Sequence, residues 1–247
     1  MARFTVNYHF IEVERIWEDY DADRANFQRI YAGFLREEPG IVHRVLDIGC
    51  GHTINPTLSL LSGIIGQLDG VDPFPSIVPP AHLKNYWVCK LENLPVSDAT
   101  YDMAYSYNVV EHVDNDEQFL LKAISLLKPG GVYWSMSPNA HHPFTWVTRF
   151  AQSAGLLRFY RRYINQRVND YRAFYKLSND KRVVRVLNSV ADQIQQVDFY
   201  YVNNVNWDTY FPISMRWIAK LLDRAILLKF SKRGFIFMFR ISKISTV

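Results

Sequence analysis

The sequence predicts an α/β fold in which a mostly parallel sheet is covered by helices on both faces. Short apolar runs alternate along the chain with segments of helical periodicity, and no Gly/Ser linker or internal repeat interrupts them. The run VLDIGCG at 45–51 shows the pattern most clearly, because a buried strand there ends in a glycine turn. The length of 247 residues suits one large domain or a core with an elaboration, and 49% hydrophobic residues are enough for a buried core.

Seven strands are expected in the sheet. They are predicted at 43–48, 68–72, 86–90, 102–107, 131–137, 194–202 and 234–242. A helix is predicted over 23–36. A second helix is predicted to start at Pro56, because Asn55 can cap a helix and proline suits the first helical position. The clearest helix lies in DEQFLLKAISLLKPGG, where the Pro-Gly-Gly sequence is expected to end it.

Beyond residue 140 the alternation stops. Residues 140–177 read as a helical insertion, and a further helix is predicted with its cap at Ser178 or Asn179. An amphipathic helix over 210–228 then precedes the last strand. Its pattern is that of ordinary packing, with an interfacial membrane helix as the alternative.

Cysteine content and hydropathy argue against a disulfide-rich, zinc-stabilised, secreted or membrane-spanning protein. Cys50 and Cys89 lack CxxC spacing, so neither a disulfide framework nor a structural zinc site is expected. The N-terminus lacks the apolar core of a signal peptide, and no transmembrane segment is predicted. A cytoplasmic location is therefore expected.

The net charge is +4, and positive charge concentrates in 158–185 among aromatic residues. One interpretation is a solvated helical face with aromatic rings packed beneath it; the other is a dock for an anionic substrate, a nucleic acid or a membrane surface. No arginine-glycine repeat or zinc-finger spacing is present, so a nucleic acid is not the favoured partner.

The turn after the first core strand predicts a ligand site. Asp47, Gly49 and Gly51 occupy this turn, and Asp72 ends the next strand about 20 residues later. A carboxylate there can accept hydrogen bonds from two ribose hydroxyls; the alternative is an acid that caps its own turn. No lysine and Ser/Thr pair of a P-loop follows the glycines, and an acid suits a cationic or amino-bearing ligand.

With these residues the chain resembles the class I S-adenosylmethionine-dependent methyltransferases of the type 11 kind. VLDIGCG is similar to the family's first motif, and the resemblance continues through GVDPFP, LENLPVSDATYDMAYSYNVVEHV and LLKPGGVYWSMSPN. It implies a Rossmann-like class I methyltransferase fold with a helical insertion after the fifth strand. The single domain would comprise a helical cap at 1–40, a cofactor-binding core at 41–139, an acceptor-side insertion at 140–192 and the last strands and helix at 193–247.

The resemblance also implies which residues contact S-adenosylmethionine. Asp47, Gly49, Cys50 and Gly51 would hold the methionine moiety, Asp72 the ribose, Phe74, Leu91 and Glu92 the adenine, and Asn108 would border the methionine portion. His52 and Thr53 replace the usual third glycine, and Lys90 stands where many relatives have an acid that binds the adenine amino group. The adenine would then rely on backbone groups or Glu92.

His112 is the candidate general base, because an imidazole titrates near neutral pH. The alternative is a histidine that caps a helix or packs beside the cofactor, and the adjacent Glu111 is expected to be structural. His141 and His142 follow the fifth strand and are further candidates to approach the acceptor. Adjacent residues seldom ligate one ion together, so no metal is expected.

The implied function is transfer of a methyl group from S-adenosylmethionine to a small molecule, which leaves S-adenosylhomocysteine. O-methylation is placed ahead of N- or C-methylation, with a phosphate-bearing glycan or lipid precursor as a subcase. A tRNA or other nucleic-acid methyltransferase and a non-catalytic S-adenosylmethionine-binding protein are the alternatives. Peripheral membrane contact is compatible with the sequence, and no oligomeric state is predicted.

Overall fold

The computed structural model describes residues 4–12, 42–51, 65–75, 82–156, 172–203, 217, 221 and 234–245. Within these ranges eight strands form one sheet: β1 Thr5–Glu12, β2 Val42–Ile48, β3 Ile65–Asp72, β4 Asn85–Val88, β5 Tyr101–Tyr107, β6 Leu127–Pro138, β7 Ile194–Asn203 and β8 Ile236–Lys243. The α-helices described are α1 Asp116–Leu126, α2 Pro143–Ser153 and α3 Asp180–Leu187. The helices predicted over 23–36, behind Asn55 and over 210–228 lie outside the described residues, apart from Trp217 and Leu221.

The strand order is β1-β7-β8-β6-β5-β2-β3-β4. Strand β8 runs antiparallel to both of its neighbours, and every other pair in the sheet is parallel. The predicted mostly parallel α/β sheet is therefore confirmed, with eight strands in place of seven. Because β2, β3, β5 and β6 are parallel, their carboxyl ends meet at one edge, where ligands of such sheets bind.

The additional strand is β1, which the sequence had assigned to a helical cap. It pairs along its whole length with β7, from Thr5 opposite Gln196 to Glu12 opposite Asn203. Cross-strand ring pairs reinforce the pairing, with centroids 5.5 Å apart for Tyr8 and Phe199 and 4.5 Å apart for His9 and Tyr200. A partner about 190 residues away along the chain determines this strand, and that partner is invisible in the local pattern.

Helix α1 ends earlier than predicted. The backbone of Leu127 is already extended, and this residue pairs with Tyr101 of β5. Residues 129–131 therefore lie inside β6, in its irregular first part, and do not terminate the helix. Helix α3 does begin as predicted, since the side chain of Asn179 accepts a hydrogen bond of 2.9 Å from the backbone N–H of Lys181.

Strand β2 shows how the sheet separates two cores. Leu46 and Ile48 face the core that includes Phe119 of α1 and Val183 of α3, whereas Val45 faces the opposite core. Side chains alternate along a strand, so Asp47 points to the same face as Val45. An acid is thus buried just before β2 ends, next to the glycine turn.

Candidate active site

The turn after β2 is built on two glycines in the left-handed region, Gly49 with φ +74° and Gly51 with φ +67°. The backbone N–H of Gly49 donates to the carbonyl of Val71 at 2.7 Å, which ties the turn to β3. A Cβ on Gly49 would lie 2.2 Å from Cγ2 of Val109, whereas one on Gly51 would meet no described atom within 4 Å. Gly49 is therefore required for packing, whereas Gly51 has no such close contact with the described residues.

Asp72 links this turn to the next one. Its Oδ2 accepts a hydrogen bond of 2.9 Å from the N–H of Gly51, and its Oδ1 accepts one of 2.8 Å from the N–H of Phe74. The turn-capping interpretation of Asp72 therefore describes real contacts. A carboxylate offers about four acceptor positions, so these two bonds leave room for hydroxyl donors.

Asp47 is a buried acid whose carboxyl has one side-chain hydrogen bond among the described residues. Its side chain accepts a hydrogen bond of 2.9 Å from the hydroxyl of Tyr105, and only 1% of the residue is exposed. Burial raises the pKa of Asp47 to about 7; the bond from Tyr105 opposes this rise and the charge of Asp72 adds to it. Among the described residues no ion pair neutralises this carboxyl.

Asp69 on β3 is as buried as Asp47, but its pKa is shifted in the opposite direction. Four side chains donate to its carboxylate at 2.8–3.1 Å: Arg44, Gln67, Asn85 and Tyr101. Burial alone would raise the pKa of Asp69, but these hydrogen bonds outweigh burial and hold it below its ordinary value. Asp69 is thus a satisfied structural acid, whereas Asp47 lacks a cationic partner in the described structure.

The residues expected near adenine lie around the carboxyl ends of β3 and β4. The phenyl ring of Phe74 is about half exposed, as a stacking surface requires, while the side chain of Leu91 is buried in the core and leaves only its backbone to border a ligand. Glu92 is half-buried in the following 3-10 turn, and Lys90 pairs with Asp114 at 3.5 Å on the surface.

Cys50, within the glycine turn, is buried. Burial and the charges of Asp47 and Asp72 raise the pKa of its thiol, so the side chain is neutral. Its Sγ fills the space beside Gly70 of β3, where an added Cβ would lie 2.9 Å away. The side chain of Cys50 therefore packs the turn against the sheet, and only its backbone is suited to face a ligand.

Asn108 begins the turn that leaves β5. It adopts φ +54°, which asparagine tolerates better than most residues, and its N–H donates to the carbonyl of Met136 at 2.9 Å. This bond fixes the turn against β6. The exposed side chain of Asn108 and the following residues 110–112 consequently lie at the same edge of the sheet as the glycine turn.

His112 is half-buried at the end of this turn, and its Nδ1 lies 3.0 Å from the carbonyl oxygen of Arg172. A carbonyl can only accept, so Nδ1 carries the hydrogen and the neutral ring has its lone pair on Nε2. Burial lowers the pKa of His112, and the bond to Arg172 opposes that shift. Nε2 lies 3.9 Å from Oε1 of Glu111.

Glu111 is more unusual than the sequence indicated. It is 4% exposed, and its Oε2 has no hydrogen-bond partner among the described residues. Burial raises the pKa of Glu111 to about 8. Its backbone carbonyl accepts hydrogen bonds from the N–H groups of Phe174 and Tyr175, at 2.6 and 3.0 Å, so the segment that contains these two residues is anchored on this turn.

The adjacent residues His141 and His142 differ in burial and in their contacts. His142 is almost fully buried; its Nδ1 accepts a hydrogen bond of 3.2 Å from the N–H of Phe144, and its ring packs edge-on against Phe235. It therefore caps α2, and a catalytic role for it has no support in this geometry. His141 is half-buried, and its backbone donates to Oδ1 of Asn139. No group of three or more His, Cys, Asp or Glu among the described residues could hold a metal ion.

Residues 46–135, which contain the end of β2, all of β3, β4 and β5 and most of β6, match the family model described as a methyltransferase domain. The chain is 29% identical over 101 residues to a probable S-adenosylmethionine-dependent methyltransferase of Mycolicibacterium smegmatis, a match that covers 38% of each chain. It is 24% identical over 171 residues to a ubiquinone biosynthesis O-methyltransferase of Rickettsia prowazekii, which covers 65% of this chain and 64% of the relative. Both matches span less than two thirds of the relative.

Residues 46–135 are thus similar to a methyltransferase domain, and the Mycolicibacterium smegmatis relative is named as dependent on S-adenosylmethionine. The fold agrees: a SAM dependent methyltransferase from Archaeoglobus fulgidus superposes with a TM-score of 0.55 at 17% identity, over 91% of this chain and all of the other. The predicted resemblance to S-adenosylmethionine-dependent methyltransferases is therefore supported by the family match over residues 46–135 and by the fold. No helix among the residues described is long and apolar enough to cross a membrane.

Proposed function

We propose that this protein transfers the methyl group of S-adenosylmethionine to a hydroxyl of a small-molecule acceptor, with His112 as the general base. The observation that carries the proposal is the pair of acids, Asp47 and Asp72, buried beside an open glycine turn at the carboxyl edge of a parallel sheet.

The residues at this site suit the chemical groups of the cofactor. S-adenosylmethionine carries an ammonium and a sulfonium. Burial disfavours the charged form of Asp47, and a bound cation would stabilise that form. The acceptor positions left on Asp72 suit the ribose hydroxyls, and the exposed ring of Phe74 suits adenine. Gly51 has no side chain, so a ligand can approach its backbone closely.

When bound, S-adenosylmethionine supplies an electrophilic methyl carbon. Transfer of this methyl carbon to the acceptor oxygen would form the C–O bond, break the C–S bond and leave S-adenosylhomocysteine. Nε2 of His112 takes the proton of the acceptor hydroxyl, since Nδ1 is already held by the carbonyl of Arg172. Above a pH of about 8, where the nearby carboxyl of Glu111 ionises, its charge would favour the resulting imidazolium.

Two observations bear on the acceptor. The matched Rickettsia relative is named an O-methyltransferase, which favours oxygen as the methylated atom. Arg172 and Lys176 flank the ring of Phe174, at 5.0 and 5.9 Å from its centroid, in the segment that contacts His112. A small acceptor that combines an apolar body with an anionic group suits this arrangement.

The cofactor assignment is tested by calorimetric titration with S-adenosylmethionine and S-adenosylhomocysteine. Asp72→Ala is expected to weaken binding by about tenfold to a hundredfold, because hydrogen bonds to a charged group are lost. Asp102→Ala is the matched control. This acid also accepts a backbone and a side-chain bond, from Arg44 and Lys128, but it lies near the amino end of β5, away from the site. Equal losses in both variants would overturn the assignment.

The role of His112 is tested by methyl transfer from labelled cofactor to a panel of hydroxylated acceptors, apolar and anionic. His112→Ala is expected to lower kcat by about a hundredfold or more while cofactor affinity stays unchanged. A wild type that binds cofactor but methylates no acceptor would favour the non-catalytic interpretation. Methylation of tRNA alone, with steeply salt-dependent binding, would favour the nucleic-acid alternative.

A further inference from the structure

Asp47 and Tyr105 are direct neighbours in the sheet. Strands β2 and β5 run parallel, and their register places Asp47 opposite Tyr105. Paired residues of neighbouring strands point to the same face, so the Tyr105 hydroxyl reaches Oδ2 of Asp47 and donates to it at 2.9 Å. Both residues are almost completely buried. The register of two central strands therefore fixes this hydrogen bond.

The second oxygen of Asp47, Oδ1, receives no hydrogen bond from the described residues. The carboxyl belongs to the last but one residue of β2, directly before the glycine turn at the cofactor edge of the sheet. A buried acceptor without a donor costs free energy, and a ligand that brings a donor removes this cost. An ammonium supplies N–H donors as well as charge, whereas a sulfonium supplies charge alone. Oδ1 is therefore suited to an ammonium.

The ionised form of Asp47 depends on Tyr105, because its other titratable neighbours do not favour it. Burial raises the pKa of Asp47, the charge of Asp72 on β3 adds to the rise, and the thiol of Cys50 in the glycine turn is neutral. Among the described residues that face this carboxyl, Tyr105 on β5 is the one that lowers its pKa. A hydrogen bond to a charged group changes an ionisation constant by about tenfold to a hundredfold.

We propose that Tyr105 is a positioning residue of the cofactor site, which holds Oδ2 of Asp47 and favours the carboxylate so that Oδ1 receives the ammonium of S-adenosylmethionine. Tyr105 exerts this role through Asp47. The inference rests on the proposed function, since it takes S-adenosylmethionine as the ligand. Tyr105→Phe is the variant that tests it, because phenylalanine keeps the buried ring and removes the donor.

Strand β5 also provides the matched control. Tyr101 is as buried as Tyr105, and its hydroxyl donates to Oδ2 of Asp69 at 3.1 Å. Tyr101 is the first residue of β5, so this pair lies away from the cofactor edge, and Arg44 also donates to Asp69. Tyr101→Phe therefore removes the same kind of hydrogen bond and leaves Asp47 unchanged.

The first measurement is calorimetric titration with S-adenosylhomocysteine, which keeps the ammonium and lacks the sulfonium, at pH 6 and pH 9. The ligand titrates alike with every protein, so the ratio of dissociation constants to that of wild type reports the protein. Tyr105→Phe is expected to bind about tenfold or more weakly than wild type at pH 6 and within about twofold at pH 9, where Asp47 is ionised in both. Tyr101→Phe is expected to match wild type at both pH values.

The second measurement is urea unfolding without ligand at the same two pH values. Tyr105→Phe raises the pKa of Asp47 further above its unfolded value, so the unfolding constant of the variant relative to wild type should rise by about tenfold or more from pH 6 to pH 9. In an Asp47→Asn background this rise should disappear, because asparagine does not ionise. A general loss of packing would lower stability equally at both pH values.

The outcomes separate the inference from the proposed function. Absence of S-adenosylhomocysteine and S-adenosylmethionine binding by the wild type would overturn both. Cofactor binding by the wild type with the same Tyr105→Phe ratio at pH 6 and pH 9, or with an equal loss in Tyr101→Phe, would overturn the inference alone. A pH-dependent effect of Tyr105→Phe on unfolding that persists in the Asp47→Asn background would also overturn it.

Discussion

Replacing Asp47 by asparagine is expected to stabilise the protein while it abolishes cofactor binding. The folded protein holds this carboxyl at a pKa of about 7, above the ordinary value of 3.8, mainly through burial. A group whose pKa is raised on folding contributes stability below its unfolded pKa and loses it as the pH rises through the folded value. Asparagine keeps the shape and the oxygen that accepts from Tyr105 but cannot ionise.

The size of the effect follows from the two pKa values. The rise in the pKa of Asp47 from 3.8 to about 7 lowers the free energy of unfolding by about 4 kcal/mol once the pH exceeds 7. Part of that cost is already present at pH 5. The difference in free energy of unfolding between Asp47→Asn and wild type should therefore grow by about 3 kcal/mol between pH 5 and pH 8.

The assay is urea unfolding of both proteins at pH 5 and pH 8, with cofactor titration at pH 8. Asp69→Asn provides a control of opposite sign, because the hydrogen bonds to Asp69 hold its pKa low. That variant should lose about 3 kcal/mol or more at pH 8, since it leaves Arg44 without its buried partner. An Asp47→Asn variant that is less stable than wild type at pH 8, or a difference that does not change with pH, would refute the reasoning.

Two further predictions concern neighbours of Asp47. Gly49→Ala should destabilise the fold by about 2 kcal/mol or more, because its Cβ would collide with Val109, whereas Gly51→Ala should cost about 1–2 kcal/mol and mainly weaken cofactor binding. Thermal unfolding and titration distinguish them, and similar melting temperatures would contradict the packing described here. The free energy of unfolding of Glu111→Gln should rise by about 4 kcal/mol relative to that of wild type between pH 5 and pH 8, because the wild-type carboxyl is held at a pKa of about 8. A flat pH profile of that difference would show that Glu111 is ionised in the fold.

Much of the cofactor half could be predicted from local sequence. An apolar run such as VLDI specifies a buried strand through its side chains, and glycine permits the left-handed turn that follows. Asn179 caps its helix through atoms two residues apart. These features depend on neighbours in the chain, so a single sequence contains the information for them.

The electrostatics of the site could not be predicted in the same way. Asp47 and Asp69 look alike in sequence, each an acid within an apolar strand, and the sequence singled out only the first. Within the described part of the chain, the difference lies in which side chains from other elements donate to each acid. Only Tyr105 donates to Asp47, whereas the donors to Asp69 include Arg44 and Tyr101. A pKa depends on burial and on such through-space partners, and neither is a local property.

By itself the sequence determined the strand and helix alternation, the glycine turn and the acids at the strand ends, because these follow from residue size, φ preference and periodicity. Only the tertiary structure decided that residues 5–12 join the sheet and that Glu111 is buried without a partner for Oε2 among the described residues. Both outcomes depend on contacts between segments far apart in the chain, and the local pattern of residue types does not contain such contacts.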